Sequence, residues 1–187
     1  MDSKLQIISG TYRGRKLNLP PDARPTQNRA RIAIFNMLES GMLNNNADMM
    51  IWDAFSGSGA FGLECLSRYP NARVLFSDVA PSSVASTRKN LSVLNEGARA
   101  VVAQIDAVAA VSKYGTDADL VFLDPPYKDA DLGGAFVRQF EKCAKKGAVL
   151  VWEQEVYNVV LPNEKKWRIL RDKTYGRARF FILEKIG

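Results

Sequence analysis

Met49-Met50-Ile51-Trp52-Asp53-Ala54-Phe55-Ser56-Gly57-Ser58-Gly59-Ala60-Phe61-Gly62 runs an apolar strand into a glycine-rich turn and then into a helix. Glycines at 57 and 59 permit a tight turn with close backbone approach, and Gly62 lets the helix lie against a sheet. A helix start of this kind binds an anionic group, either pyrophosphate or carboxylate. The loop alone fits a nicotinamide enzyme almost as well. Asp53 tips the balance, because a carboxylate closing the first strand repels pyrophosphate and attracts an ammonium group.

Outward from this turn, strands alternate with helices, the mark of a parallel sheet covered on both faces. The pattern predicts strands near 49–54, 72–78, 99–105, 118–124 and 147–153, with helices near 59–69, 81–95, 107–113 and 132–145. Pro81 suits a first helical turn, and Gly97 falls shortly after that helix. Trp167 to Leu170 and Ala178 to Glu184 alternate across Tyr175-Gly176 and read as a closing antiparallel hairpin. The expected fold class is α/β.

The carboxyl ends of the first four strands each carry an acid: Asp53, Asp78, Asp106 and Asp124. One acid alone is more often a helix cap or a surface charge. Four at successive strand ends is hard to produce by accident, and in an open parallel sheet that edge is where ligands bind. Asp78 stands where an acid can take two ribose hydroxyls, and Asp106 could accept from an adenine amine. Asp53 would hold the ammonium of an amino-acid moiety, as in S-adenosylmethionine.

Leu120-Val121-Phe122-Leu123 closes on Asp124-Pro125-Pro126-Tyr127. Two prolines cannot donate to a ladder, so the strand stops there and carbonyl oxygens are left free on a stiff rim. One carboxylate, free carbonyls and an aromatic face are the groups that hold a planar base bearing an amine. A strand-end turn that happens to carry Asp and Tyr explains this short motif equally well on its own.

At 187 residues, 47% apolar and 25% charged, the chain is one domain or one domain with a small appendage. No apolar run reaches membrane-spanning length, and Met1-Asp2-Ser3-Lys4 begins no signal peptide. Cys65 and Cys143 read as reduced core residues of a cytoplasmic protein. The absence of histidine removes the commonest general base and zinc ligand, so hydrolytic triads and zinc chemistry drop out. No metal site is expected.

Of the net charge of +6, residues 1–31 carry seven Lys/Arg against two Asp and residues 164–187 carry eight against three. The segment 32–163, with eleven against fifteen, is acidic. Basic ends on an acidic middle favour a polyanionic partner. Residues 5–19 suggest a short hairpin or two with Arg13, Arg15 and Lys16 at a turn, Asp22 to Thr26 a loop, and Arg29 to Leu43 a helix. That helix puts Ile32, Ile34, Phe35, Met37, Leu38 and Met42 on one face. Arg29 and Arg31 in its first turn oppose the helix dipole, which suggests either an anion contact or plain solvation. Asn44-Asn45-Asn46 reads as a linker, giving an extension over 1–43 and a main domain over 47–187.

With those residues in place, the chain resembles the class I S-adenosylmethionine-dependent methyltransferases. More narrowly it is similar to the RsmD family of bacterial small-subunit rRNA guanine-N2 methyltransferases. The likeness covers nearly the whole length. It runs through Ile8-Ser9-Gly10-Thr11-Tyr12-Arg13-Gly14-Arg15-Lys16-Leu17 and Arg24-Pro25-Thr26, then Arg29, Arg31, Phe35 and Asn36, then Asp53 to Glu64 and Asp124 to Tyr127. The opening arginine-glycine stretch and R-P-T are its specific part.

The resemblance implies a seven-stranded, Rossmann-like, mostly parallel sheet with an antiparallel last strand, helices on both faces and a small RNA-binding N-terminal extension of hairpin plus helix. It implies S-adenosylmethionine held by Asp53, Ala54, Phe55, Gly57, Ser58 and Gly59 at the methionine end, Asp78 at the ribose, Asp106 and Ala107 at the adenine, and Asp124. It places the target base on Asp124, Pro125, Pro126 and Tyr127, and RNA on Arg13, Arg15, Lys16, Arg24, Arg29 and Arg31. The implied partner is 16S rRNA within an assembled small subunit or free of it, the target guanine 966, and the chain a monomer. Asn28 and Ile32 depart from the acids usual in R-P-T-x-D-R-V-R-E, and Ala80 from a second acid after strand two, leaving Asp78 as the obvious ribose acceptor. An adenine-N6 methyltransferase of DNA or another RNA uses the same acceptors. A non-catalytic RNA-binding module on this fold is the rival from a different class.

Overall fold

The computed structural model describes residues 5–21 and 28–187. The chain runs α1 (Asn28–Glu39), β1 (Met50–Asp53), α2 (Ala60–Arg68), β2 (Arg73–Asp78), α3 (Pro81–Leu94), β3 (Ala100–Gln104), α4 (Ala107–Tyr114), β4 (Leu120–Leu123), α5 (Ala130–Cys143), β5 (Val149–Glu155), β6 (Trp167–Tyr175) and β7 (Ala178–Lys185). The seven strands form one sheet in the order β3-β2-β1-β4-β5-β7-β6. All pairs from β3 across to β5 are parallel, and β7 is antiparallel to both of its neighbours.

Alternate residues of the buried strands feed two cores, because successive side chains point to opposite faces. Ile51, Val74, Phe76, Phe122 and Val151 meet α1, α2 and α3 on one side. Trp52, Leu75, Val121, Leu123 and Trp152 meet α4 and α5 on the other. Gly62 works as the sequence suggests: a Cβ there would come within 2.3 Å of the Phe76 ring. The left-handed residue ending α3 is Asn95 rather than Gly97. The hairpin is longer than its alternation indicated, because β6 continues past Leu170 across a bulge between Ile169 and Arg171.

The N-terminal segment departs most from expectation. The hairpin within residues 5–19 reduces to a single bridge, Gln6 to Lys16, flanked by backbone bonds such as Leu17 N–H to the Leu5 carbonyl. The first helix stops at Glu39, where Gly41 at φ +99° lets the Met42 and Leu43 N–H groups turn back on the Leu38 carbonyl. Its buried face is Arg31, Ile34, Phe35 and Leu38, while Ile32 is exposed. Arg31 is in phase with that face (i, i+3, i+4, i+7), so helical periodicity carried the charge inward.

Burying Arg31 requires a counter-charge, and Glu64 on α2 supplies it. The Glu64 carboxylate is fully buried. It accepts from the Ile8 and Ser9 N–H groups at 2.8 and 2.9 Å and from Arg68 Nε at 2.8 Å. Arg31 Nε lies 3.9 Å away, and Arg31 also donates to the Gln6 carbonyl. Thr11 N–H reaches the Ser67 carbonyl at 2.9 Å, and a Cβ on Gly10 would fall 2.0 Å from that oxygen. Residues 6–12 are thus bolted to α2 by one acid, one helix carbonyl and the Ser67 hydroxyl, which accepts from the Tyr12 N–H and donates to the Ser9 carbonyl. Glu64→Ala strands the Arg31 charge and two backbone donors. It should lower unfolding free energy by about 3–5 kcal/mol in urea titration.

Candidate active site

The strand register carries the acids to one place. Asp53 pairs with Phe76 on one side and Phe122 on the other. Two residues beyond those partners are Asp78 and Asp124, so the period of two puts both on the face of Asp53. Asp78 pairs with Gln104, and Asp106 follows two residues later. All four acids line a single cavity of about 550 Å³ at the carboxyl edge of the sheet. Phe55, Gly57 and Ser58 join them, and so does Pro126. Apolar side chains, among them Ile34, Phe61 and Phe122, also line the cavity.

Each acid has a distinct environment. Asp53 is 1% exposed and accepts from the Gly62 N–H at 3.0 Å. Burial pushes its carboxyl up to about 8 against the lowering effect of that N–H, and the Asp78 charge adds to the rise. Asp78 accepts from Gly57 N–H at 2.9 Å through one oxygen and from Ala80 N–H at 2.9 Å through the other. It thereby sets the shape of the glycine turn as well as facing the cavity. Asp106 is exposed and caps α4 by accepting from Ala109 N–H at 2.8 Å.

Several expected residues are not among those lining this cavity. Ala54 is fully buried, its N–H donating to the Phe122 carbonyl and its carbonyl accepting from Ser77 Oγ, so it ties strands and is not among the residues lining the acid-bearing cavity. Gly59 sits at φ +77° as the residue before α2 and faces Thr87. Ala107, the first residue of α4, is buried in the core. Pro125 and Tyr127 line a smaller crevice beside the main cavity, sharing Pro126 and Glu153 with it. The Tyr127 hydroxyl donates to Glu153 Oε1 at 2.8 Å. Burial, then the Glu153 charge, raises the Tyr127 phenol well above its ordinary range.

Of the expected RNA-contacting residues, Arg13, Arg15, Lys16 and Arg29 are exposed, and Arg24 lies outside the described residues. Arg31 is not a surface residue: it is 2% exposed and lines the acid-bearing cavity. Among the described residues its Nε and Nη1 have no hydrogen-bond partner, Nε lying at ion-pair distance from Glu64. Two features had no signal in the sequence. Glu153, on β5, is a fifth acid in the cavity. Asn90 on α3 donates to the Ser58 and Asn18 carbonyls, both at 3.0 Å, and so clamps the N-terminal segment to the glycine turn.

A family model described as conserved hypothetical protein 95 matches residues 5–184. Over 186 residues the chain is 33% identical to the ribosomal RNA small subunit methyltransferase D of Escherichia coli strain K12, spanning 97% of this chain and 90% of that one. The chain belongs to the RsmD family. A Buchnera aphidicola methyltransferase D is 26% identical over 97% of the chain and 93% of its own length. The solved structure of Escherichia coli yhhF, a candidate methyltransferase, superposes with a TM-score of 0.82 at 31% identity, over 97% of each chain. This is therefore a member of an rRNA methyltransferase family, with the Rossmann-like fold of its class. No helix among the described residues is long and apolar enough to cross a membrane.

The raised Asp53 carboxyl has a consequence for stability. Its unfolded value is near 3.8 and its folded value about 8, so between them the unfolded state binds fewer protons and stability falls as pH rises. Asp53→Asn removes that dependence. The variant should gain stability over the parent progressively from about pH 4 to about pH 8 and no further above it, measured by urea unfolding across pH.

Proposed function

We propose that the chain transfers a methyl group from S-adenosylmethionine to the exocyclic N2 of a guanine in 16S rRNA of the small subunit, position 966 being the one the family resemblance points to. The observation that carries this reading is the convergence of Asp53, Asp78, Asp106 and Asp124 on one cavity of about 550 Å³, within the size range of small-molecule sites. An acid-lined cavity suits a cationic ligand and disfavours a pyrophosphate, which speaks against a nicotinamide cofactor. Arg31 Nη1, which has no hydrogen-bond partner among the described residues, supplies what the acids lack, a donor for a carboxylate. The donor set therefore fits an amino-acid moiety with both of its charged ends.

When bound, S-adenosylmethionine supplies an electrophilic methyl on a sulfonium, with a neutral thioether as leaving group. The residues supply position, which is most of what an in-line displacement with a good leaving group needs. Asp53, whose ionised form the arriving cation stabilises against burial, holds the ammonium, Arg31 the carboxylate, the turn around Gly57 and Ser58 the methionine backbone, Asp78 the ribose and Asp106 the adenine amine. Asp124 and the Pro125 carbonyl each accept one N–H of the guanine amine and turn its lone pair toward the methyl. Tyr127, its hydroxyl anchored on Glu153, offers a ring for the unstacked base. Stacking contributes about 1–3 kcal/mol, comparable to the cost of taking one nucleotide out of its stack. The amine proton leaves to Asp124 or water. The basic extension over 1–43 grips the RNA, and the enzyme acts as a monomer.

Labelled S-adenosylmethionine offered with deproteinised rRNA, assembled small subunits and duplex DNA, followed by nucleoside analysis, tests the reading. N2-methylguanosine from small-subunit RNA is the expected product; N6-methyladenosine, or no transfer to any substrate, contradicts it. Asp124→Ala should abolish transfer while calorimetry still records cofactor binding. Substituting Arg13, Arg15 or Arg29 with Gln should weaken RNA binding. Each lost phosphate contact should also flatten the log–log salt dependence by about 0.7–0.9.

A further inference from the structure

Leu123 of β4 pairs with Trp152 of β5, and the next residues along these parallel strands are Asp124 and Glu153. Neighbours at one level of a parallel pair lie about 5 Å apart and point to the same face. Both residues line the main cavity, which puts two carboxylates side by side above the Asp53 level. Glu153 Oε1 is taken by the Tyr127 hydroxyl. Among the described residues no basic side chain pairs with Glu153, so its second oxygen is left for whatever enters. Burial drives the Glu153 carboxyl upward, and the Tyr127 hydrogen bond opposes that rise.

Two neighbouring acceptors ask for two neighbouring donors. The Watson–Crick edge of guanine presents the N1–H next to the N2 amine. Adenine and cytosine each set a bare ring nitrogen beside their amine, and that lone pair would face a carboxylate with both left unsatisfied. Resting on the guanine-N2 reading above, we infer that Glu153 is a specificity-determining residue, whose second carboxylate oxygen accepts the guanine N1–H while Asp124 accepts from the N2 amine. The pair admits guanine and rejects bases that carry an amine next to an unprotonated ring nitrogen. The Tyr127 hydroxyl orients the Glu153 carboxylate for this contact while its ring serves as the stacking face.

The test uses small subunits assembled on 16S rRNA carrying either guanine or 2-aminopurine at the methylated position, the latter placed by splinted ligation. 2-Aminopurine keeps the amine at C2 and lacks the N1 proton. The wild-type chain should favour guanine in kcat/KM by at least about tenfold, since a site built to accept a hydrogen bond rejects the analogue that cannot donate it. Glu153→Gln, whose amide N–H can donate to the bare N1, should shrink that preference by at least about tenfold. A wild-type ratio near one overturns the inference without recourse to any variant. An equal loss on both bases in Glu153→Gln, reproduced by Tyr127→Phe, also overturns it, because Glu153 would then serve only to hold the ring. Wild-type chain that makes N2-methylguanosine but shows either result sinks this inference alone; wild-type chain that makes none sinks the proposed function with it.

Discussion

Between β1 and β4 the sheet reverses the direction in which it grows. From β1 the chain adds β2 and then β3 on one side; it then returns to lay β4 and β5 on the other. Loops leaving the carboxyl ends of β1 and β4 therefore part in opposite directions and leave a crevice that no side chain of either has to fill. Asp53 and Asp124 stand on its two banks. The other candidate roles are measured from this gap: the glycine turn and Asp78 on one side, the proline rim and Glu153 on the other. Fixed parallel register and a side-chain period of two are enough to bring the acids to one face.

The N-terminal segment forms part of the wall of this crevice, through Pro20 in its irregular stretch and Ala30, Arg31 and Ile34 on α1. Buried polar anchors hold it: the Glu64 carboxylate takes the Ile8 and Ser9 N–H groups, and Asn90 links Asn18 to the glycine turn. Apolar contacts complete the attachment, with Leu5, Ile7, Leu17, Ile34 and Phe35 merging into the core above the sheet. The same tie explains why Arg31 faces inward: Glu64 makes its burial tolerable, and the cavity gives its remaining donors a direction.

Much of the fold was legible because its signals are local. Asp53 through Gly62, Pro81 at a helix start and the apolar run before Asp124 each report on their own neighbourhood, and the strands and helices fell close to where those signals put them. The convergence of the strand-end acids was legible too, since it follows from parallel order alone. What the sequence hid depends on partners far along the chain. Arg31 reads as a surface charge until Glu64 is brought beside it from α2. Glu153 sits in Val149-Leu150-Val151-Trp152-Glu153, and nothing local distinguishes it from a solvated strand-end acid; only pairing with β4 places it next to Asp124. Ala54 and Ala107 fall inside the expected stretches with their side chains in the core, because a motif marks a segment and not the direction of each side chain.

The most direct measurement is a crystal structure of the chain with a non-reactive S-adenosylmethionine analogue. The account predicts an extended ligand along the crevice, its ammonium within hydrogen-bond distance of Asp53, its ribose hydroxyls on Asp78 and its sulfonium end turned toward Asp124. A ligand bound outside this cavity, or one whose sulfonium end points away from Asp124, would contradict it.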